Sequence, residues 1–282
     1  MPQVVRLESS PGGDLQILTG RRPGEAIGTI AIPTRDHVSA PLFISLMNTD
    51  WSFLGPNECV NWSIVQGSML PTQRNELVQR MIGDWILFID SDMVFGVDAI
   101  KRIVAVRDEH DLDMVGGLCF QRVEPHQPTL YMREQPTEGG YSFLERWDSD
   151  LVEVDGTGMA FMLIHKRVFE RIVRVFDERP SFVWPPHEER IRTRPPEFFR
   201  WIGNVGEDLR FCQDAKASGS RIFVDTRIEI GHVGTETINR TTFLRSLATR
   251  NREAERARQQ LNDRLGLPTM TADEARGALG LE

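Results

Sequence analysis

Cysteine is scarce in this 282-residue chain. The three present, Cys59, Cys119 and Cys212, lie far apart and form no CxxC pair. That spacing suggests neither a zinc site nor a disulfide framework, and a reducing, cytoplasmic setting is the simplest expectation. Lysine is scarce too: of 33 basic residues only Lys101, Lys166 and Lys216 are lysines. An arginine excess of this kind fits a general codon bias or recognition of phosphate by the guanidinium fork. No apolar run approaches the ~18 residues of a membrane span. The opening MPQVVRLESSPGGD has no basic start followed by an apolar core, so no secretory leader is expected. A net charge of −8 gives a whole-molecule field that does not favour a polyanion.

What is present is enough for a sizeable core. With 40% hydrophobic residues, most of the chain can offset its ordering entropy. Strand signals fall at Ile27–Ile32, Cys59–Val65, Trp85–Ile89 and Met114–Val115. Helical patterns lie between them, with Leu77, Val78 and Met81 on one face and Ile100, Ile103 and Val104 on another. Alternation of this kind predicts a parallel sheet with crossover helices, and continuous apolar strands predict burial on both faces. Ligands of such sheets bind at the carboxyl ends of the strands. That rule selects the loops Pro33–Asp36, Gln66–Ser68 and Asp90–Asp92.

The second half has another rhythm. Residues 121–150 read as polar loop, Met159–Ile164 as a buried strand, and the next segment as a helix carrying Val168, Phe169, Ile172 and Val173. Glu207–Ser218 reads as a helix stopped by Gly219, and Ile222–Val224 as a strand. Thr241–Leu265 reads as a long helix with Phe243, Leu247, Ala254, Ala257 and Leu261 on one stripe. Residues 1–25 are expected to be a loose lead-in, 26–235 a catalytic domain with halves 26–118 and 119–235, and 236–282 a helical extension.

Four features carry chemistry. Asp90-Ser91-Asp92 follows a buried strand, and residues i and i+2 of an extended chain face the same way. Paired carboxylates in one crevice repel unless a cation lies near, and their oxygens suit Mg²⁺ or Mn²⁺. Gly206-Glu207-Asp208 opens a helix, where acids also favour the dipole. Asp155-Gly156-Thr157-Gly158 precedes a strand and permits close approach of a ligand to the backbone. His232 stands between Gly231 and Gly234, and as a neutral imidazole it can reach a metal.

In this order the motifs resemble a GT-A fold glycosyltransferase of the family 2 type, close to small soluble versions found in phage genomes. The resemblance rests on IAIPTRD (30–36), VQGSMLPTQRNELV (65–78), WILFIDSDM (85–93), VDGTGMAFMLIHKRVFE (154–170), GEDLRFC (206–212) and GHVG (231–234). It implies a Rossmann-like mixed sheet flanked by helices with a C-terminal helix, a nucleotide-diphosphate sugar as donor and Mn²⁺ or Mg²⁺ as cofactor. Thr34, Arg35, Asp36, Gly67, Arg74, Asn75, Asp90 and Ser91 then fall on the nucleotide-sugar side, and Asp92 and His232 on the metal. Asp208 falls on the general base of inverting members. Gly156, Thr157, Gly158, Trp201 and Glu207 fall on the donor-sugar and acceptor side. The QxxRW motif of processive synthases is absent.

The acceptor is read from charge. Residues 190–200 hold four arginines and one acid, with Phe198, Phe199 and Trp201 available for stacking, and the last helix holds seven arginines against three acids. Such a patch fits phosphates and bases or a solvated helix face. Relatives that glycosylate hydroxymethylated pyrimidines make DNA one acceptor class; glycans, lipid carriers and proteins are the others. A nucleotidyltransferase and an inactive sugar-binding module are the readings from other classes. The first lacks its glycine-rich loop here, and the second is opposed by the intact Asp92, Asp208 and His232.

Overall fold

The structure, a computed structural model, describes residues 26–67, 69–133, 140–176, 196–203, 205–234 and 237–265, together with two strands near the start. Those two, β1 (Val4–Ser9) and β2 (Leu15–Thr19), pair as an antiparallel hairpin where the proline and glycine punctuation predicts a loose lead-in.

Strand β3 (Ala26–Thr34) lies between β4 (Cys59–Gln66) and β5 (Trp85–Ile89), parallel to both. Sequence patterning ends this strand before Pro33, yet Pro33 lies inside it, opposite Val65. The reason is local. Thr34 turns its carbonyl to β4, where Gly67 N donates to it, so residue 33 faces the β5 side. Pairing with β5 has already stopped at Ala31 and Phe88, and the N–H that proline lacks has no ladder bond to make. Gly28 is required by packing, because a Cβ there would come within 2.1 Å of the Trp85 indole.

The remaining strands complete a mixed sheet. β7 (Met114–Leu118) is next but one to β5, and β12 (Phe161–His165) fills the gap antiparallel to both. β13 (Ile222–Val233) runs parallel to β7, and β10 (Leu151–Val154) closes the edge antiparallel to it. β10 and β12 make the sheet mixed, as the resemblance implies, and not parallel throughout as the strand–helix alternation by itself predicts. Gly116 and Gly117 belong to β7 rather than ending it, and a Cβ on Gly117 would meet the Ile230 side chain at 2.7 Å. The polar stretch 121–150 is not all loop either. β8 (Leu130–Arg133) pairs with β9 (Tyr141–Phe143) and β11 (Gly156–Thr157) in a small second sheet.

Helices cover both faces. On one lie α2 (Leu70–Gln79), α4 (Lys166–Phe176) and α5 (Glu207–Ala217), whose Leu77, Phe169 and Phe211 pack with Ile86 and Phe88. On the other lie α1 (Ala40–Met47) and α3 (Ala99–His110), whose Leu42, Ile100 and Ile103 pack with Leu87 and Ile89. Alternate residues of β5 therefore enter opposite cores, which is why all five are apolar and fully buried. Each such side chain contributes about 1.5–3 kcal/mol. The last helix, α6 (Arg240–Leu265), departs from expectation. Phe243 is buried against Phe120 and Leu247 packs on the core, but Ala254, Ala257 and Leu261 are exposed. Among the described residues, the apolar stripe packs on the core along the first turns.

Candidate active site

The carboxyl ends of β3, β4 and β5, the tail of β13 and the first turn of α5 converge. The β3 and β4 ends are tied together at Thr34: its carbonyl accepts from Gly67 N and from Gln73 Nε2, each at 3.1 Å, and its hydroxyl donates to the His37 carbonyl at 2.7 Å. Arg35 and Asp36 beyond it are exposed and pair with each other at 3.7 Å. Ser39 caps α1 through its side chain, and its N–H donates to the Ser91 carbonyl. The start of α1 is thereby fixed against the Asp90–Asp92 turn.

That turn separates β5 from a short reversed strand, β6 (Met93–Phe95). β6 pairs antiparallel with the far end of β13, setting Met93 opposite His232, and Val233 N donates to the Asp92 carbonyl at 2.8 Å. β13 is 12 residues long, not the short strand predicted at Ile222–Val224. Its length carries His232 from the sheet to the turn. His232 Nε2 and Asp92 Oδ2 lie 3.3 Å apart.

Arg122, which the sequence motifs do not single out, joins them. Its Nε donates to His232 Nε2 at 2.6 Å, and its guanidinium also contacts Asp92 Oδ2. Burial, and secondarily the Arg122 charge, push the His232 imidazole down to about 4, so it is neutral at ordinary pH. The signal that could have flagged Arg122 is position: it follows β7, at the edge of the sheet where ligands bind.

Asp90 belongs to a different bridge. Arg74, on α2, is buried, with Nη2 on Asp90 Oδ1 at 3.1 Å and Nη1 on Glu207 Oε1 at 2.6 Å. The other Glu207 oxygen accepts from Trp201 Nε1 at 2.7 Å. The bridge joins the turn after β5 to the start of α5. Asp208 is next in the chain, with Leu209 N donating to its Oδ1 at 2.7 Å. A Cβ on Gly206 would lie 3.0 Å from one Asp208 oxygen, and a Cβ on Gly158 3.9 Å from the other. The glycine motif before β12 and the motif opening α5 therefore meet at this carboxyl. Burial raises its pKa; Arg74 opposes the rise, and Glu207 and Asp90 add to it. Gly156 is sterically required, since a Cβ there would meet Leu209 at 2.7 Å, and Thr157 is buried with its carbonyl accepting from Cys212.

Two placements correct the sequence reading. Asn75, expected beside a nucleotide, engages the backbone of residues 198 and 199: Oδ1 accepts from both N–H groups at 2.8 and 2.9 Å, and Nδ2 donates to the Phe199 carbonyl at 2.8 Å. Phe198 and Phe199, expected to stack on an acceptor, are buried, and Phe199 stacks on Phe211 at 4.5 Å between centroids. Only Trp201 of that trio is exposed. The arginines at 190, 192 and 194 lie outside the described residues.

Asp92 and His232 offer one carboxylate and one neutral imidazole, a donor set that suits Mn²⁺ or Mg²⁺ when substrate oxygens and water complete the shell. Among the described residues no group of three or more His, Cys, Asp or Glu could hold a metal. The Arg122 guanidinium standing against both groups shows that they accommodate positive charge.

Residues 65–173, under half of the chain, match the family described as glycosyl transferase family 2, a stretch that includes Asp90, Asp92 and the Gly156–Gly158 motif. Glu207, Asp208 and His232 lie beyond the matched stretch. Among solved structures, A197 from STIV is 18% identical, with a TM-score of 0.46 over 73% of this chain and 85% of that one. TarS 1–349 from S. aureus, in complex with UDP-GlcNAc, is 16% identical, with a TM-score of 0.41 over 70% of this chain and 55% of that one. No curated protein matches the sequence. No described helix is long and apolar enough to cross a membrane.

Proposed function

We propose that this protein is a glycosyltransferase that moves a sugar from a nucleotide-diphosphate donor to an acceptor hydroxyl, with a divalent cation held by Asp92 and His232 and with Asp208 as general base. The observation that carries the reading is the Arg74 bridge, because it ties the Asp90–Asp92 turn to the first turn of α5, where Asp208 lies. When bound, the cation supplies Lewis-acid neutralisation of the departing diphosphate. Asp208 takes the acceptor proton: burial raises its pKa, which makes it a better base than an exposed carboxylate. Thr34, Arg35, Asp36 and Gly67 line the nucleotide end, and Ser91 and Asp90 the sugar end. The domain reading follows, with 26–118 supplying the donor side and 119–235 the acceptor side.

For the acceptor, Trp201 presents an exposed ring whose N–H is fixed on Glu207, a platform for a base or a sugar. Arg245, Arg252, Arg256 and Arg264 are exposed along α6, and Arg200, Arg240 and Arg250 pair with Asp214, Glu229 and Glu145. The exposed set favours an anionic acceptor such as DNA bearing hydroxymethylated pyrimidines. The test is incubation with Mn²⁺, a panel of nucleotide sugars and 5-hydroxymethylcytosine DNA, scoring nucleoside diphosphate release and sugar on DNA. Transfer that falls steeply with salt and drops in Arg252→Glu/Arg256→Glu supports the DNA reading. Donor turnover without transfer to DNA returns the acceptor to glycans, lipids or proteins, and absence of any turnover overturns the donor reading.

A further inference from the structure

Arg122 sits where two roles compete. Its Nε donates to His232 Nε2, and its guanidinium also holds Asp92 Oδ2. A neutral imidazole nitrogen has one lone pair, so Nε2 cannot accept from Arg122 and ligate a cation together. The backbone around Arg122 is fixed: Gln121 N donates to the Gln127 carbonyl at 2.8 Å, His126 N to the Val123 carbonyl at 2.8 Å, and Gln121 Nε2 to the Tyr131 hydroxyl at 3.2 Å. The Arg122 side chain is half exposed. The side chain can leave while the loop stays.

We propose that Arg122 is an exchangeable counter-ion that makes cation and diphosphate bind as a coupled pair. Without donor, the guanidinium neutralises Asp92, occupies the His232 lone pair and weakens binding of a bare cation. A donor's diphosphate offers anionic oxygens with which the guanidinium makes stronger, forked bonds, and its departure frees Asp92 and His232 for the cation. Each partner then raises the affinity of the other by the same factor, as linkage requires. The proposal rests on Asp92 and His232 being the cation ligands.

The experiment is a titration with Mn²⁺, followed by the paramagnetic signal of the free ion, with and without saturating UDP or GDP. It compares wild type, Arg122→Ala and Arg122→Lys; the lysine variant keeps the charge without the fork. In Arg122→Ala, Mn²⁺ alone is expected to bind about two- to fivefold more tightly, the scale of losing one exposed ion pair. The factor by which nucleotide improves Mn²⁺ binding shrinks correspondingly, and Arg122→Lys lies between. Equal affinities for Mn²⁺ alone in wild type and Arg122→Ala, with nucleotide-dependent Mn²⁺ binding intact, overturn the counter-ion and leave the ligands standing. No Mn²⁺ bound by any variant with either nucleotide overturns both.

Discussion

Two arginines bridge the same short turn to the second half of the chain, and they do so in opposite surroundings. Arg74 joins Asp90 to Glu207 with its side chain 3% exposed; Arg122 joins Asp92 to His232 at 50% exposed. Water competes for both partners of the second bridge but reaches the first only on its Asp90 side, 25% exposed. A buried charge cannot lose its partner without leaving another charge uncompensated, whereas an exposed pair exchanges partners at small cost. Of two carboxylates separated by one serine, Asp90 is held by the buried arginine and Asp92 by the exposed one.

The largest expected effect breaks the buried bridge. Arg74→Ala leaves Asp90 and Glu207 unpaired beside Asp208 and should cost about 3–5 kcal/mol of stability, while Arg122→Ala should stay within about 1 kcal/mol. Denaturant unfolding of the two variants measures the contrast directly; equal losses would remove the distinction. Next is Asp208→Asn, which keeps the shape of the residue beside the Arg74 bridge and removes the base. Turnover is expected to fall by about 10²–10⁴ with nucleotide affinity and melting unchanged, and a loss of nucleotide affinity instead would place Asp208 on the donor side.

The smallest effect sharpens the comparison by separating acid sensitivity of the fold from either bridge. His165 ends β12, at the opposite edge of the sheet from the turn, and its Nδ1 accepts from Arg167 N at 3.1 Å. Burial, then the charges of Arg167 and Arg107, lower its pKa to about 4. The unfolded chain therefore binds a proton near pH 6.5 that the folded chain refuses. Stability is full above that pH and declines as pH falls from about 6.5 to about 4. In His165→Gln the decline should be shallower, as read by thermal unfolding across that range, with the Arg74 and Arg122 contrast unaltered.

Much of this fold is legible in local pattern. Trp85–Ile89 reads as a doubly covered strand because five consecutive apolar residues need apolar neighbours on both faces, and they have them. Gly219, at φ +87°, ends α5 where the sequence indicates. The apolar stripe of α6 misleads because periodicity records only which face could be buried. Ala254, Ala257 and Leu261 have the spacing and are exposed.

By itself, the sequence determined the apolar strands β3, β4, β5 and β12, the stop of α5 at Gly219 and the residue types gathered near the strand ends. Tertiary structure alone decided which carboxylate meets which cation. Arg74 and Glu207 are 133 positions apart, and Arg122 and His232 are 110 apart. No helical or strand period relates residues at such separations. They meet because β12 inserts between β5 and β7, and because β13 continues past the sheet to pair with β6. The inserted strand and the overlong one close the chain around the turn, and burial then sorts one arginine into the core and leaves the other in reach of solvent.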